Sequence, residues 1–233
     1  MRTSLGLAGD LDDVELVKDI ERAFDIQLPN DQLKHCKTVG DLFRLVVARL
    51  PKEQDRGDRC ASAMCFYRLR RVVLTIAPHL ELRPSSPIGT LRSISVRALY
   101  RAIQRADGLR PPAPYLSVWG GGSLLGAVVA PIVLLWMGAP WWAAGVAVLV
   151  SIVLYRVSPV RLPPALGTFG DLDDLVTARS IGTLAAHGAR LRPAEAWKAL
   201  QTVCADHAVT TGGEIHEGTL ILQPRKAAAQ LLA

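Results

Sequence analysis

The feature that most constrains this chain is a run of 45 residues, Pro111 to Tyr155, without one Asp, Glu, Lys or Arg. It lies between Arg110 and Arg156. Val118 to Met137 supplies 20 largely apolar residues, and a helix rising about 1.5 Å per residue then covers a hydrocarbon core of roughly 30 Å. Gly138-Ala139-Pro140 interrupts the run, and Pro140 breaks a continuous helix. Trp141 to Tyr155 gives a second span of 15 residues, short unless it extends to Val157. Trp119, Trp136, Trp141, Trp142 and Tyr155 fall near the span ends, where amphipathic rings prefer the headgroup zone. The pattern predicts a transmembrane helical hairpin over 115–157. The alternative is a buried helical hairpin, although such helices usually carry a polar face.

Two spans put both flanks on one side. Arg92, Arg97, Arg101, Arg105 and Arg110 precede the hairpin and Arg156 and Arg161 follow it. Positive flanks stay inside, which predicts a multi-pass protein of the inner (cytoplasmic) membrane with both soluble parts cytoplasmic. The run starts far from Met1, so it does not read as a cleavable signal peptide. Cys36, Cys60, Cys65 and Cys204 show no metal-ligand spacing and read as free thiols in a reducing compartment. Net charge is +6, with the basic excess concentrated in residues 68–110. Beside a membrane hairpin that excess reads as contact with anionic lipid headgroups. No motif or stacking platform for nucleic acid accompanies it.

Outside the hairpin the periodicity is helical. Apolar residues at 11, 14, 16, 17, 20, 23 and 24 form a stripe. Asp10, Asp12 and Asp13 crowd its N-terminus, where carboxylates complement the helix dipole. Leu28-Pro29 ends that helix, and Thr38-Val39-Gly40-Asp41-Leu42 opens another to about Leu50. Residues 51–59 are charged and aperiodic, a linker. Further helices are predicted over Met64 to Ala77, Ser95 to Ala106, and Pro193 to Asp206, the last with Trp197, Leu200, Val203 and Cys204 on one face. Leu82 to Leu91 reads as a long loop.

The stretch from Leu11 to Val46 resembles helices two to four of an acyl carrier protein. Leu11-Asp12, Val14-Glu15-Leu16, the elbow Phe24-Asp25-Ile26, Leu28-Pro29 and the closing Thr38-Val39-Gly40-Asp41-Leu42 carry the likeness. The resemblance implies a small helical bundle. It also implies 4'-phosphopantetheine attached to a Ser in an Asp-Ser-Leu triplet. Here the triplet is Gly9-Asp10-Leu11. Asp10 occupies the Ser position, and a carboxylate cannot make that phosphodiester.

The family's first helix is missing before residue 11. Pro193 to Asp206, followed by Gly212-Gly213 and Glu214 to Leu220, resembles that helix and its loop. Residues 1–50 with 190–233 would then form one circularly permuted carrier-like bundle, with Trp197 against Val14, Val17 and Leu42. Thr168-Phe169-Gly170-Asp171-Leu172-Asp173-Asp174-Leu175-Val176 matches residues 38–46 at six of nine positions. Residues 60–110 with 160–182 would form a second copy, interrupted by the hairpin. In that copy Ser93 lies near the attachment position, flanked by Arg92 and Ile94, with Arg97 where the family has an acidic residue. A helix N-cap is the other reading of Ser93.

Other candidates for chemistry are thin. Adjacent His35 and Cys36 point apart on a turn and lack a third orienting group. His207 and His216 belong to no local metal spacing. Asp171, Asp173 and Asp174 sit in a helical first turn, where capping is the usual role. Gly120-Gly121-Gly122 lacks the Lys-Ser/Thr of a phosphate loop. The expected architecture is therefore all-α: two small acyl-carrier-like bundles plus a transmembrane helical hairpin. The expected function is a membrane-anchored, non-catalytic adaptor without prosthetic group or metal, binding lipid and a protein partner, with no small-molecule substrate. The alternatives are a membrane-tethered carrier bearing 4'-phosphopantetheine on Ser93, and a basic lipid- or nucleic-acid-binding membrane protein.

Overall fold

Apolar residues at helical spacing, closed by paired Thr and Asp caps, make this chain mostly helical. The computed structural model describes residues 4–7, 12–50, 59–112, 115–116, 118–138, 140–157, 160–164, 166–208 and 214–222. Gly9, Asp10, Leu11, most of the 51–59 linker and Gly212-Gly213 lie outside the described residues. The helices are α1 (Asp12–Phe24), α2 (Asn30–Leu33), α3 (Val39–Arg49), α4 (Ala61–Ile76), α5 (Val96–Arg105), α6 (Val118–Trp136), α7 (Trp141–Val157), α8 (Phe169–Ala186) and α9 (Pro193–His207). A 3-10 turn spans Ile88–Ser93.

Short strands, which the helical periodicity does not show, add three two-stranded ladders. β1 (Ser4–Leu7) pairs with β6 (Leu220–Leu222) in parallel. β2 (Arg59–Cys60) pairs with β5 (Ala189–Arg190), also parallel, and β3 (Tyr115–Leu116) pairs with β4 (Val160–Arg161) antiparallel. Leu5 and Leu7 of β1 point inward and are buried.

α8 is the axis of the fold. Phe169, Leu172, Val176, Ile181 and Leu184 are buried, and so are Ala178, Ser180 and Gly182 on its other sides. A helix buried all round must have neighbours on every face, and α8 packs on α1, α4 and α9. Gly182 explains how close α1 comes. A Cβ there would lie 2.0 Å from the carbonyl carbon and oxygen of Phe24 and 2.5 Å from the nitrogen of Asp25. The buried side chains of all these elements form one continuous core.

Two stretches make the same contacts. Thr38 and Thr168 each begin a helix with a capping box: Asp41 N donates to Thr38 Oγ1 (3.1 Å) and Asp171 N to Thr168 Oγ1 (3.2 Å). The returning carboxylates accept from Thr38 N (2.9 Å) and Thr168 N (2.8 Å). Gly40 N donates to Glu217 O (3.0 Å), and Gly170 N to Pro84 O (2.8 Å). Val39 N meets Thr219 O (2.9 Å), and Phe169 N meets Ser86 O (2.7 Å). Even the turns match: His216 N donates to Thr219 Oγ1 (3.0 Å) and Arg83 N to Ser86 Oγ (2.9 Å). Both glycines are needed for this approach, because a Cβ would fall 2.8 Å from Glu217 O and 2.9 Å from Pro84 O.

α9 does pack on α1 and α3. Trp197 meets Phe43 edge to face, ring centroids 5.1 Å apart. Val14, expected under Trp197, is 43% exposed.

The transmembrane hairpin is corrected. Among the described residues no helix is long and apolar enough to cross a membrane. The expectation of a multi-pass inner-membrane protein is overturned with it. The break at Pro140 leaves 19 residues in α6 and 17 in α7. At about 1.5 Å per residue, α7 reaches only about 26 Å, short of a core of roughly 30 Å. Pro131 lies inside α6, which also carries three consecutive glycines, Gly120 to Gly122, in its first turns. The two helices pack on each other, with Ala144 and Ser151 buried and Gly126 facing Ser151 Oγ. Their outer faces remain apolar and exposed, Trp136 at 90% and Trp141 at 82%.

Substituting Gly182→Ala should destabilise the protein by about 3 kcal/mol or more, because backbone rather than a mobile side chain must move. Urea unfolding of Gly182→Ala beside Gly122→Ala, where a Cβ meets nothing within 4 Å, checks it. Equal midpoints would refute the tight crossing.

Candidate binding groove

α1 divides its residues between two surfaces. Leu16, Ile20, Ala23 and Phe24 enter the core. One turn away, Val14 and Val17 face an open groove with Leu33 of α2, Leu42 of α3, and Ile221 and Leu222 of β6. The groove holds about 690 Å³, within the range of small-molecule and peptide sites. Asp13, Lys18, Glu21, Asn30, Lys34 and Cys36 form its polar rim.

The elbow after α1 sets the groove's width. Asp25 takes φ 54, a left-handed value that ends the helix. Ile26 N then bonds Glu21 O (3.1 Å), and Glu21 Oε1 accepts from Leu28 N (2.7 Å). Leu28 is buried, and Pro29 leads into α2. β6 supplies the opposite wall. It is held by the parallel ladder to β1 and by Ile221 N donating to Lys37 O (3.1 Å). That wall was legible only as Leu-Ile-Leu near the end of the chain. Its place on the groove depends on pairing with β1, which no helical period reveals.

Asp41 belongs to the capping box of α3, next in sequence to Leu42 of the groove. Backbone and side-chain hydrogen bonds from Thr38 hold its carboxyl down at about 2. Asp171 is lowered too, chiefly by Thr168 and Gly167 backbone N–H groups. Both are caps, with no reactive partner. Burial, with Asp41 nearby, raises the Cys36 thiol, so the thiol stays protonated. His35 is exposed, and Cys36 Sγ donates instead to Gln32 O (3.6 Å). The structure does not bring His35 and Cys36 together as a dyad.

The remaining candidates are dispersed. His207 Nε2 lies 3.0 Å from Asp19 Oδ2, tying α9 to α1. His216 Nδ1 accepts from Gly218 N (3.1 Å) in the tight turn before β6. Asp174 pairs with Lys198 at 2.8 Å on the surface. Asp173 is different: it is 7% exposed, and its Oδ1 has no partner among the described residues. Burial pushes its carboxyl up to about 7, against a lowering contribution from the Cys65 thiol. All four cysteines are free thiols; Cys65 and Cys204 are buried. Among the described residues no three His, Cys, Asp or Glu stand close enough to hold a metal. The side chains of residues 115–121, which include Trp119, Gly120 and Gly121, lie outside the described residues.

Ser93 closes the 3-10 turn and is exposed. It is not the helix cap. That position belongs to Ser95, whose side chain makes no cap bond. Four residues on, the Arg97 guanidinium donates to the carbonyls of Arg156 and Tyr155, at the end of α7.

The sign of the Asp173 effect follows from its raised value. A carboxyl near 4 when unfolded and about 7 when folded binds more protons in the native state between those limits. Stability is therefore highest below pH 4 for this group, and it falls as pH rises through 7. Asp173→Asn should remove that slope and stabilise the protein at pH 8 by on the order of 2–4 kcal/mol. Denaturation midpoints at pH 5 and pH 8 test it; a variant equally unstable at pH 8 defeats the assignment. In native buffer at pH 7.5, a thiol reagent should label Cys36 and Cys60 slowly. Cys65 and Cys204 should react only after unfolding.

No family model matches the chain, and no solved structure matches it. Part of it is similar to curated proteins. An acyl carrier protein of Amoebophilus asiaticus is 46% identical over 46 residues, 20% of this chain and 58% of that protein. That of Phenylobacterium zucineum is 46% identical over 43 residues, 18% of this chain and 54% of that protein. That of Caulobacter vibrioides is 43% identical over 42 residues, covering 18% and 54%. The chain thus spans somewhat over half the length of the curated relatives it matches, and it contains a region that is acyl-carrier-protein-like.

Proposed function

We propose that this protein is a non-catalytic, carrier-like docking module built from two related helical units. The observation that carries this reading is the groove of α1, α2, α3 and β6, kept open and apolar beside a helix whose attachment position holds Asp10. Asp10 itself lies outside the described residues. Its chemistry is enough, because a carboxylate in place of a Ser hydroxyl removes the acceptor for a phosphoryl group. The matched contacts of Thr38-Val39-Gly40-Asp41 and Thr168-Phe169-Gly170-Asp171 support duplication. The contacts of α9 and β6 with α1, α3 and β1 support completion of the first unit by the C-terminal segment.

The docking partner is a protein with a basic surface. α1 presents Asp12 and Glu15 to solvent, with Asp13, Asp19 and Glu21 partly exposed beside them. Such a face steers association with positively charged partners. α5 carries the opposite sign, with Arg97, Arg101 and Arg105. The two units therefore do not compete for one partner surface.

A second reading is favoured by one observation: Ser93 is exposed and is not used as a cap. An exposed hydroxyl fits as the acceptor of 4'-phosphopantetheine, whose thiol would supply acyl attachment. The chain's own contribution would be presentation of that hydroxyl at the end of the 3-10 turn, with Arg92 beside it. Co-expression with a phosphopantetheinyl transferase, followed by intact-mass measurement, separates the readings. The docking module gives the unmodified mass. A pantetheine adduct that disappears in Ser93→Ala would replace it with the carrier.

A further inference from the structure

A cleft between α4 and the C-terminal end of α8 carries charge that the docking groove does not use. Ala63, Met64, Tyr67, Arg68, Arg71 and His187 line it, and its volume is about 620 Å³. Arg68 and Arg71 are three residues apart on α4 and so share a face. His187 caps α8. Its Nδ1 lies 2.7 Å from Thr183 O. A carbonyl only accepts, so Nδ1 carries the hydrogen and Nε2 is left available.

Gly108 builds the site. Its φ is +78, and a Cβ there would lie 3.0 Å from Arg68 Nη1 and 3.4 Å from His187 Cε1. The turn after α5 thus runs close beside both side chains, with no room there for a Cβ without displacing one of them. Arg68 Nη1 also donates to the carbonyl of Asp107 (3.3 Å). Among the described residues the Arg71 side chain makes no hydrogen bond or ion pair. Among the described residues no carboxylate lines the cleft. Elsewhere on the surface, cations such as Arg22, Arg44, Arg179 and Lys198 sit on carboxylates. Here two guanidiniums and an imidazole line one cleft without one among the described residues.

We propose that this cleft binds a small molecule bearing a phosphomonoester. Guanidinium forks match phosphate oxygens with several charge-assisted bonds. Two of them plus an imidazole offer more donors than the two oxygens of a carboxylate can take. The volume exceeds that of phosphate alone and falls within the range of small-ligand sites. The ring of Tyr67, largely exposed, and Met64 beside it form the apolar seat for the organic part.

The test is calorimetric titration of the full chain with inorganic phosphate and with adenosine 5'-monophosphate. Both should bind saturably, the nucleotide more tightly. Arg71→Ala removes an exposed side chain without a described partner, so the fold should persist, as a thermal melt will show. It should weaken both ligands about tenfold, the usual loss of one charge-assisted contact. Tyr67→Ala should abolish the advantage of the nucleotide over phosphate. Arg105→Ala, on α5 outside the cleft, should leave both affinities unchanged. Absence of saturable binding overturns the proposal. So does an Arg105→Ala loss equal to that of Arg71→Ala, which would mean general charge attraction only.

Discussion

The crossing of α8 against the end of α1 is the contact on which the rest depends. Without a side chain at Gly182, the backbone of α8 reaches the Phe24 carbonyl and the Asp25 amide directly. Phe24 is buried in that crossing, and the chain then turns through the left-handed Asp25. The turn releases Leu28 and Pro29 to lead α2 away, which is what opens the groove. Two residues earlier in α8, Ser180 Oγ accepts from Arg110 N (2.8 Å). A different face of α8 therefore fixes the segment that leads to α6. One glycine and one serine couple the groove to the middle of the chain.

The Thr-x-Gly-Asp turns are the second constraint. Each solves the problem of a helix N-terminus whose amides lack intrahelical acceptors. Thr and Asp satisfy two of them locally, and the next two reach carbonyls far away in sequence. For α3 those are Glu217 and Thr219; for α8 they are Pro84 and Ser86. The glycine must stay bare for the facing turn to come so near. A four-residue motif thus specifies both a helix start and a long-range neighbour.

The hairpin shows how an apolar run is decided by where it is broken. Pro140 divides the uncharged run into a helix of 19 residues and one of 17 that continues past it through Arg156. Small residues let these helices meet, as Gly126 and Ser151 do. Arg97 ties the end of α7 back to α5 through main-chain carbonyls, so the hairpin base is anchored by an arginine.

The sequence by itself determined the elements whose signal is local. Helical stripes located α1, α3, α4, α5 and α9, and Thr-x-Gly-Asp-Leu marked two helix starts. The likeness of residues 11–46 to a carrier protein came from the same local pattern. Tertiary structure decided what needs a distant partner. Leu5 and Leu7 are two apolar residues in a short segment until β6 pairs with them. Ile221 and Leu222 become a groove wall only through that ladder. Asp173 reads as one of three acids in a helical first turn, and only packing against Cys65 makes it a buried carboxyl. Arg68, Arg71 and His187 are more than 110 residues apart at their extremes, and only the folded chain sets them around one cleft. Periodicity reports which face of a segment is apolar. It carries no information about which other segment will cover that face, because that choice is made by shape and close approach across the whole chain.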